Sequence, residues 1–166
     1  MAREFVISPS NVTVANAAVT LVFINPAAAP NFNIEILRCW VSQSANATSA
    51  QQRVQLTTQV TAFPTLTTFT PAKLNKADPN VSIIVGGTAG AAGTCGVNAS
   101  AEGAGGKTVI LEDAFNVLNG WLWVPTPAET IIETAQATAH GFGLVFPAAP
   151  TSLTNWNAGM VVRELG

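Results

Sequence analysis

The sequence predicts an all-β chain: an antiparallel β-sandwich of jelly-roll type, with about 8–10 short strands and one long Gly-rich loop. Three observations predict it. Apolar and polar residues alternate with a period of two, Pro and Gly punctuate the chain at near-regular intervals, and helical periodicity is nearly absent. The cleanest alternation is Arg53-Val54-Gln55-Leu56-Thr57-Thr58-Gln59-Val60. It sets Val54, Leu56, Thr58 and Val60 on one face and Arg53, Gln55, Thr57 and Gln59 on the other, as a half-buried strand requires.

From the N-terminus, the first candidate strand is 4–7. The second, 18–24, lies in the longest apolar run, which contains Thr20 and is strand-sized. The third, 33–42, alternates so that Leu37, Cys39 and Val41 share a face, which makes Cys39 a buried core thiol. After 53–60 come 65–70, 81–85, 108–111, 120–124, 129–133, 141–146 and 159–163, most of them rich in Val, Ile, Thr, Phe and Trp. Turn chemistry separates them at Asn25-Pro26, Ala29-Pro30, Phe63-Pro64, Asp78-Pro79, Pro125-Thr126-Pro127 and Phe146-Pro147. Helix candidates are confined to 111–118, two turns at best, and the weaker 45–52. No strand–long helix–strand alternation exists, which disfavours a parallel α/β sheet. An immunoglobulin-like sandwich is the runner-up, but its paired Cys flanking a Trp are not found at the expected separation. Residues 86–106 form a low-complexity insert of Gly, Ala, Thr and Ser whose one charge is Glu102. It is expected as a long loop, either an exposed tip or an arm that orders against a neighbouring subunit. Residues 25–30 are a second connection of this kind, and the whole of 1–166 fits one domain.

Only 10% of the 166 residues are charged, where about 25% is usual. The hydrophobic fraction of 48% is ordinary and excludes disorder. A surface of small uncharged groups is poorly defended against association. It suits a neutral extracellular β-protein or, the reading preferred here, a surface largely buried in an assembly. The net charge is −2 and the seven Lys and Arg are scattered, so no basic patch points to nucleic acid. No apolar stretch approaches the roughly 20 residues of a membrane span, and the N-terminus lacks a signal-peptide core. The expectation is a soluble protein made in a cytosol.

Ala101-Glu102-Gly103-Ala104-Gly105-Gly106-Lys107-Thr108 matches a relaxed phosphate-loop pattern. A true phosphate loop joins a strand to a helix. Here 95–100 does not read as a strand, and Val109-Ile110-Leu111 reads as strand rather than helix. The single histidine, His140, has no Gly-x-Ser-x-Gly elbow to partner it and reads as a turn or strand-entry residue. Cys39 and Cys95 are too few for a disulfide framework and ill-spaced for metal, though a bond between the two stays open. Glu112 and Asp113 are adjacent and Glu129 and Glu133 four apart, but nothing marks either pair as glycosidase carboxylates. No catalytic residue, metal or cofactor is therefore expected. Trp121 and Trp123 share a strand face and could stack on sugars, although large aromatics commonly fill a sandwich core. The four Asn-x-Ser/Thr sequons, at Asn11, Asn46, Asn80 and Asn98, are ascribed to composition.

The stretch Glu112-Asp113-Ala114-Phe115-Asn116-Val117-Leu118-Asn119-Gly120-Trp121-Leu122-Trp123-Val124-Pro125-Thr126-Pro127, with Gly141-Phe142-Gly143-Leu144-Val145-Phe146-Pro147-Ala148-Ala149-Pro150, resembles small virion proteins of tailed bacteriophages. The resemblance covers the C-terminal third and is one of texture, without a diagnostic motif. Members of that family are single jelly-roll proteins that decorate or cement a capsid. The resemblance implies a non-enzymatic structural protein in the virion, made in the host cytoplasm. It further implies a homo-oligomer, often a trimer, bound to the major capsid protein of a phage shell. Trp121, Trp123, Phe142 and Phe146 are the candidates for core or subunit contact. The alternative expectation is a carbohydrate-binding β-sandwich module.

Overall fold

The fold is known from a computed structural model that describes residues 2–27, 33–45, 48–78, 82–84, 94–133 and 140–166. Among the described residues there are twelve strands and no helix. They are β1 (Arg3–Ile7), β2 (Thr20–Asn25), β3 (Asn33–Gln43), β4 (Gln51–Val60), β5 (Thr65–Thr68) and β6 (Ala72–Lys73). After these come β7 (Thr94–Ala101), β8 (Gly106–Asn116), β9 (Trp121–Trp123), β10 (Ile131–Glu133), β11 (His140–Val145) and β12 (Trp156–Leu165). One sheet runs β10-β3-β12-β1-β6, with β9 also on β3; the other runs β5-β7-β2-β11-β4-β8. Every strand pair is antiparallel. The chain is thus an all-β sandwich of two facing sheets.

The pairing is nested. β1 pairs with β12, β2 with β11, β3 with both β10 and β9, and β4 with β8. The chain behaves as one long hairpin whose two arms are wound into the sandwich. β5, β6 and β7 come from the hairpin's tip. β7 and β5 extend one sheet beyond β2, and β6 extends the other beyond β1.

The core follows the inward rows of both sheets. Phe5, Ile7, Ile34, Ile36, Cys39, Val41, Met160 and Val162 from one sheet meet Val22, Ile24, Val54, Leu56, Phe142 and Leu144 from the other. The alternation in β3 changes phase part-way. Val161 opposes Arg38 while Val162 opposes Ile36, so Leu37 is an extra, bulged residue. Cys39 is buried as expected, but the bulge turns the half-buried Leu37 out of its row and puts Ile34 and Ile36 there instead.

Four expectations are corrected. Most of the insert expected as a loop at 86–106 is strand where it is described. β7 is buried between β2 and β5, with Gly96 lying so close beneath Leu66 that no larger residue fits. The step into this sheet uses Asn98, which adopts φ 53° at the bulge against β5 and accepts a hydrogen bond from the Thr13 amide. Small residues here serve close packing, a signal that composition alone does not separate from a loop. The strand expected at 81–85 is a turn at the described residues 82–84. Its donors go to a carboxylate instead of a ladder: Ser82 Oγ and the Ile83 amide both donate to Glu164 Oε1, at 2.6 and 2.7 Å. The helix candidate 111–118 is β8 up to Asn116 and then a turn, and 45–52 holds no helix among its described residues. Both lose to the long ladder between β4 and β8.

Candidate functional site

The two sheets end on the same side of the sandwich, one at β8 and the other at β9 and β10. The chain crosses between them through a tight turn. The amides of Asn119 and Gly120 donate to the Asn116 carbonyl, and the Leu118 amide donates to Asn116 Oδ1. Gly120 completes it at φ 71°, a conformation that favours glycine. The Asp113 carboxylate then bridges the sheets, accepting from the Trp121 indole Nε1–H at 3.0 Å and from the Ala114 amide at 2.7 Å. Beside this bridge lies a groove of about 350 Å³ lined by Ile110, Leu111, Trp123, Glu129, Thr130 and Ile131.

The surface around the groove is unusually apolar. Among the described residues eight large hydrophobics are exposed, and six of them, Val109, Ile110, Leu118, Leu122, Val124 and Ile132, fall within this one stretch of chain. Leu122 is 64% exposed and Val124 58%. Large apolar side chains left exposed on the edge strands of two sheets mark an interaction site more often than they mark neglect.

Of the four residues proposed from sequence, only Trp123 reaches this surface, half-buried in the groove wall. Trp121 is buried beneath it, so the two do share an inward face. Phe142 and Phe146 are core residues, Phe146 packing edge-on to Trp156 with ring centroids 4.8 Å apart. The residues missed were the ones between and beyond the tryptophans. Leu122 and Val124 alternate with Trp121 and Trp123, so this strand is apolar on both faces, a legible signal of a covered surface.

Many of the other ionisable groups are engaged structurally. Glu102 accepts from the Val19 and Thr20 amides, each at 2.7 Å, from Thr20 Oγ1 at 2.9 Å, and from Lys107. Burial acts to raise its pKa, but the hydrogen bonds from Lys107 and Thr20 outweigh it and hold the carboxyl below its ordinary value. This explains the phosphate-loop match. Residues 95–100, not expected as strand, belong to β7, and 102–105 is the connection that carries the chain from β7 to β8 at the far edge of the same sheet. Gly103 and Gly105 are there because Cβ atoms would lie 1.8 Å from the carbonyl oxygens of Ala62 and Thr61. Lys107 closes on Glu102, with no helix to receive a phosphate. Arg163 bridges Glu4 and Glu35 across three neighbouring strands, at 2.8 and 3.0 Å. Glu164 is fully buried, with Arg3 2.9 Å away. Arg53 and Gln55 donate to Glu112.

Cys39 and Cys95 are both free and buried, which resolves the open question of their pairing. Burial pushes the Cys95 thiol up to about 12 and pushes Cys39 up further, and Cys95 Sγ donates to the Phe69 carbonyl. His140 opens β11 opposite Val60, a strand-entry position. Among the described residues no three His, Cys, Asp or Glu side chains converge as metal ligands, and no helix is long and apolar enough to cross a membrane. No protein-family model, curated protein or solved structure matches the chain.

Proposed function

We propose that this chain is a non-enzymatic structural protein of a bacteriophage virion, one that self-associates and binds a capsid lattice as decoration, cement or a minor shell component. The observation that carries this reading is the gathering of exposed Val109, Ile110, Leu118, Leu122, Val124 and Ile132 along one open edge of the sandwich. In a chain with 10% charged residues, little charge opposes the burial of that edge against a neighbour. The nested pairing supports a jelly roll within the sandwich class. Strand orders β1-β12-β3-β10 and β2-β11-β4-β8 are those produced when a long hairpin winds into two Greek keys, an architecture used by viral capsid and lectin domains alike. The partners in this reading are further copies, a trimer being the favoured assembly, and the major capsid protein of the shell, with assembly following synthesis in the host cytoplasm.

Light scattering over a concentration series, followed by co-sedimentation with empty phage shells, tests it. Closed oligomers or saturable shell binding are expected. A monomer at millimolar concentration that leaves every shell bare refutes it.

The lectin-like alternative has one observation in its favour, the half-buried Trp123 in a groove of about 350 Å³, near the lower limit of small-ligand sites. The outward-facing Trp40 offers less: its ring lies over Gly159 and the Arg38 guanidinium sits 5.2 Å from its centroid. Quenching or a blue shift of tryptophan fluorescence by a sugar panel would favour the alternative, and an unmoved spectrum would remove it.

A further inference from the structure

Among the described residues β8 pairs with β4 alone, so one side of an 11-residue strand presents backbone donors and acceptors without a sheet partner. Most of its side chains are exposed, Val109 and Ile110 included. An edge of this length and apolarity is a template for another strand. Two features restrict which strand it accepts. The β4 register slips at Leu56 and Thr57, leaving Ile110 as a bulged residue at the centre of the edge. The charges are also ordered, with Lys107, which closes on Glu102, near the start, and Glu112, which Arg53 and Gln55 contact, and Asp113, which accepts from Trp121, near the end.

That order is self-complementary in one direction only. Laid antiparallel on a second β8, the Lys107 end of each strand meets the acidic end of the other. Laid parallel, Lys107 faces Lys107 and the carboxylates face their own copies, and like charges directly opposite are destabilising. We propose that β8 is a two-fold contact edge, on which a second copy of this chain pairs its own β8 antiparallel. The two sheets ending at β8 then become one continuous sheet, and apolar side chains of each copy reach toward the groove beside Ile110 and Trp123 of the other. The proposal rests on the self-association reading and adds its surface, direction and symmetry. An isologous contact of this kind closes at two copies, whereas a ring of three needs a head-to-tail contact elsewhere.

The test uses the full chain. Wild-type mass by light scattering is expected to rise from one copy to two with concentration. Val109→Lys and Ile110→Lys, both at exposed positions, are expected to weaken the dimer by about tenfold or more, with melting curves that match wild type. Single cysteines extend the test. Opposed residues in an antiparallel pair have Cα atoms about 4.5–5.5 Å apart, within the roughly 4.4–6.8 Å that a disulfide spans. With Lys107 opposite Asp113 the two-fold axis falls at residue 110, which then opposes its own copy, so Ile110→Cys should give a covalent dimer under mild oxidation, while Leu74→Cys, exposed elsewhere, should not. An oligomer untouched by the lysine variants, cross-linking through Leu122→Cys instead, overturns the β8 contact and leaves self-association standing. A wild type that stays monomeric with no preferential cross-link overturns both.

Discussion

Replacing Glu102 tests whether the connection between β7 and β8 is held by a carboxylate or merely accommodates one. Glu102 receives two amides and a hydroxyl from Val19 and Thr20, plus the Lys107 ammonium. Hydrogen bonds to a charged group contribute about 1.5–3 kcal/mol each when buried. Glu102 is only partly buried and water can replace some partners in the variant, so the total loss for Glu102→Ala is set at about 2–4 kcal/mol. In a chain of this size that lowers Tm by roughly 4–16 °C. Glu102→Gln keeps the shape and one acceptor, and should lose about half as much. The pH dependence gives the sharper result. The folded-state pKa of Glu102 is lowered, so its stabilisation is fully present above the unfolded value of about 4.3 and is lost as pH falls through the folded one. Urea unfolding of wild type and Glu102→Gln at pH 7 and pH 3 should therefore show a gap that narrows on acidification. A gap below about 0.5 kcal/mol at pH 7, or one equally wide at both pH values, would refute the assignment.

Further outcomes are expected. Gly103→Ala and Gly105→Ala should each destabilise by about 1–3 kcal/mol in urea melts, because the new methyls collide with backbone carbonyls that have little room to retreat. Phe142→Ala should cost about 3–5 kcal/mol, whereas Leu122→Ala, at a solvent-exposed position, should change stability by less than about 0.5 kcal/mol. Neither thiol should react with a disulfide reagent at pH 8 in the native state, and both should react on unfolding, since burial keeps Cys39 and Cys95 protonated. Asp113→Ala should remove the partner of the Trp121 indole and alter the tryptophan emission without unfolding the chain.

Strands rich in β-formers and bounded by turn residues were legible from sequence, and β1, β2, β3, β4 and β11 lie near their expected bounds, although in β4 the expected faces hold only to Leu56, beyond which Thr57 and Gln59 are buried and Val60 is exposed. The failures have a common physical origin. β7 is built from Thr, Cys, Gly, Val, Asn, Ala and Ser, small enough to fit beneath Leu66, and small residues look the same whether they are packed tightly or left in a loop. Ile83 and Ile84 were apolar because Ile84 is buried, but their segment spends its donors on the distant Glu164, a contact no local pattern encodes. Leu37 was assigned to the core row because bulges break the period without any change in composition. At the candidate site, Trp123 was visible as an aromatic, while Leu122 and Ile132 were passed over because exposure is a property of the assembled edge.

The nested pairing also governs how the chain can reach its native state. β12, the last strand in sequence, is central to its sheet, hydrogen-bonded between β1 and β3. Until it arrives, two strands made much earlier have nothing to join them, and most stabilising contacts span long stretches of chain. Such topologies fold slowly, on the millisecond-to-second scale or longer. A nascent chain therefore holds the open edges of β1 and β3 in waiting while it is synthesised. Cleavage before β12 removes far more than one strand's worth of structure, because it takes away the seam on which the whole sheet closes.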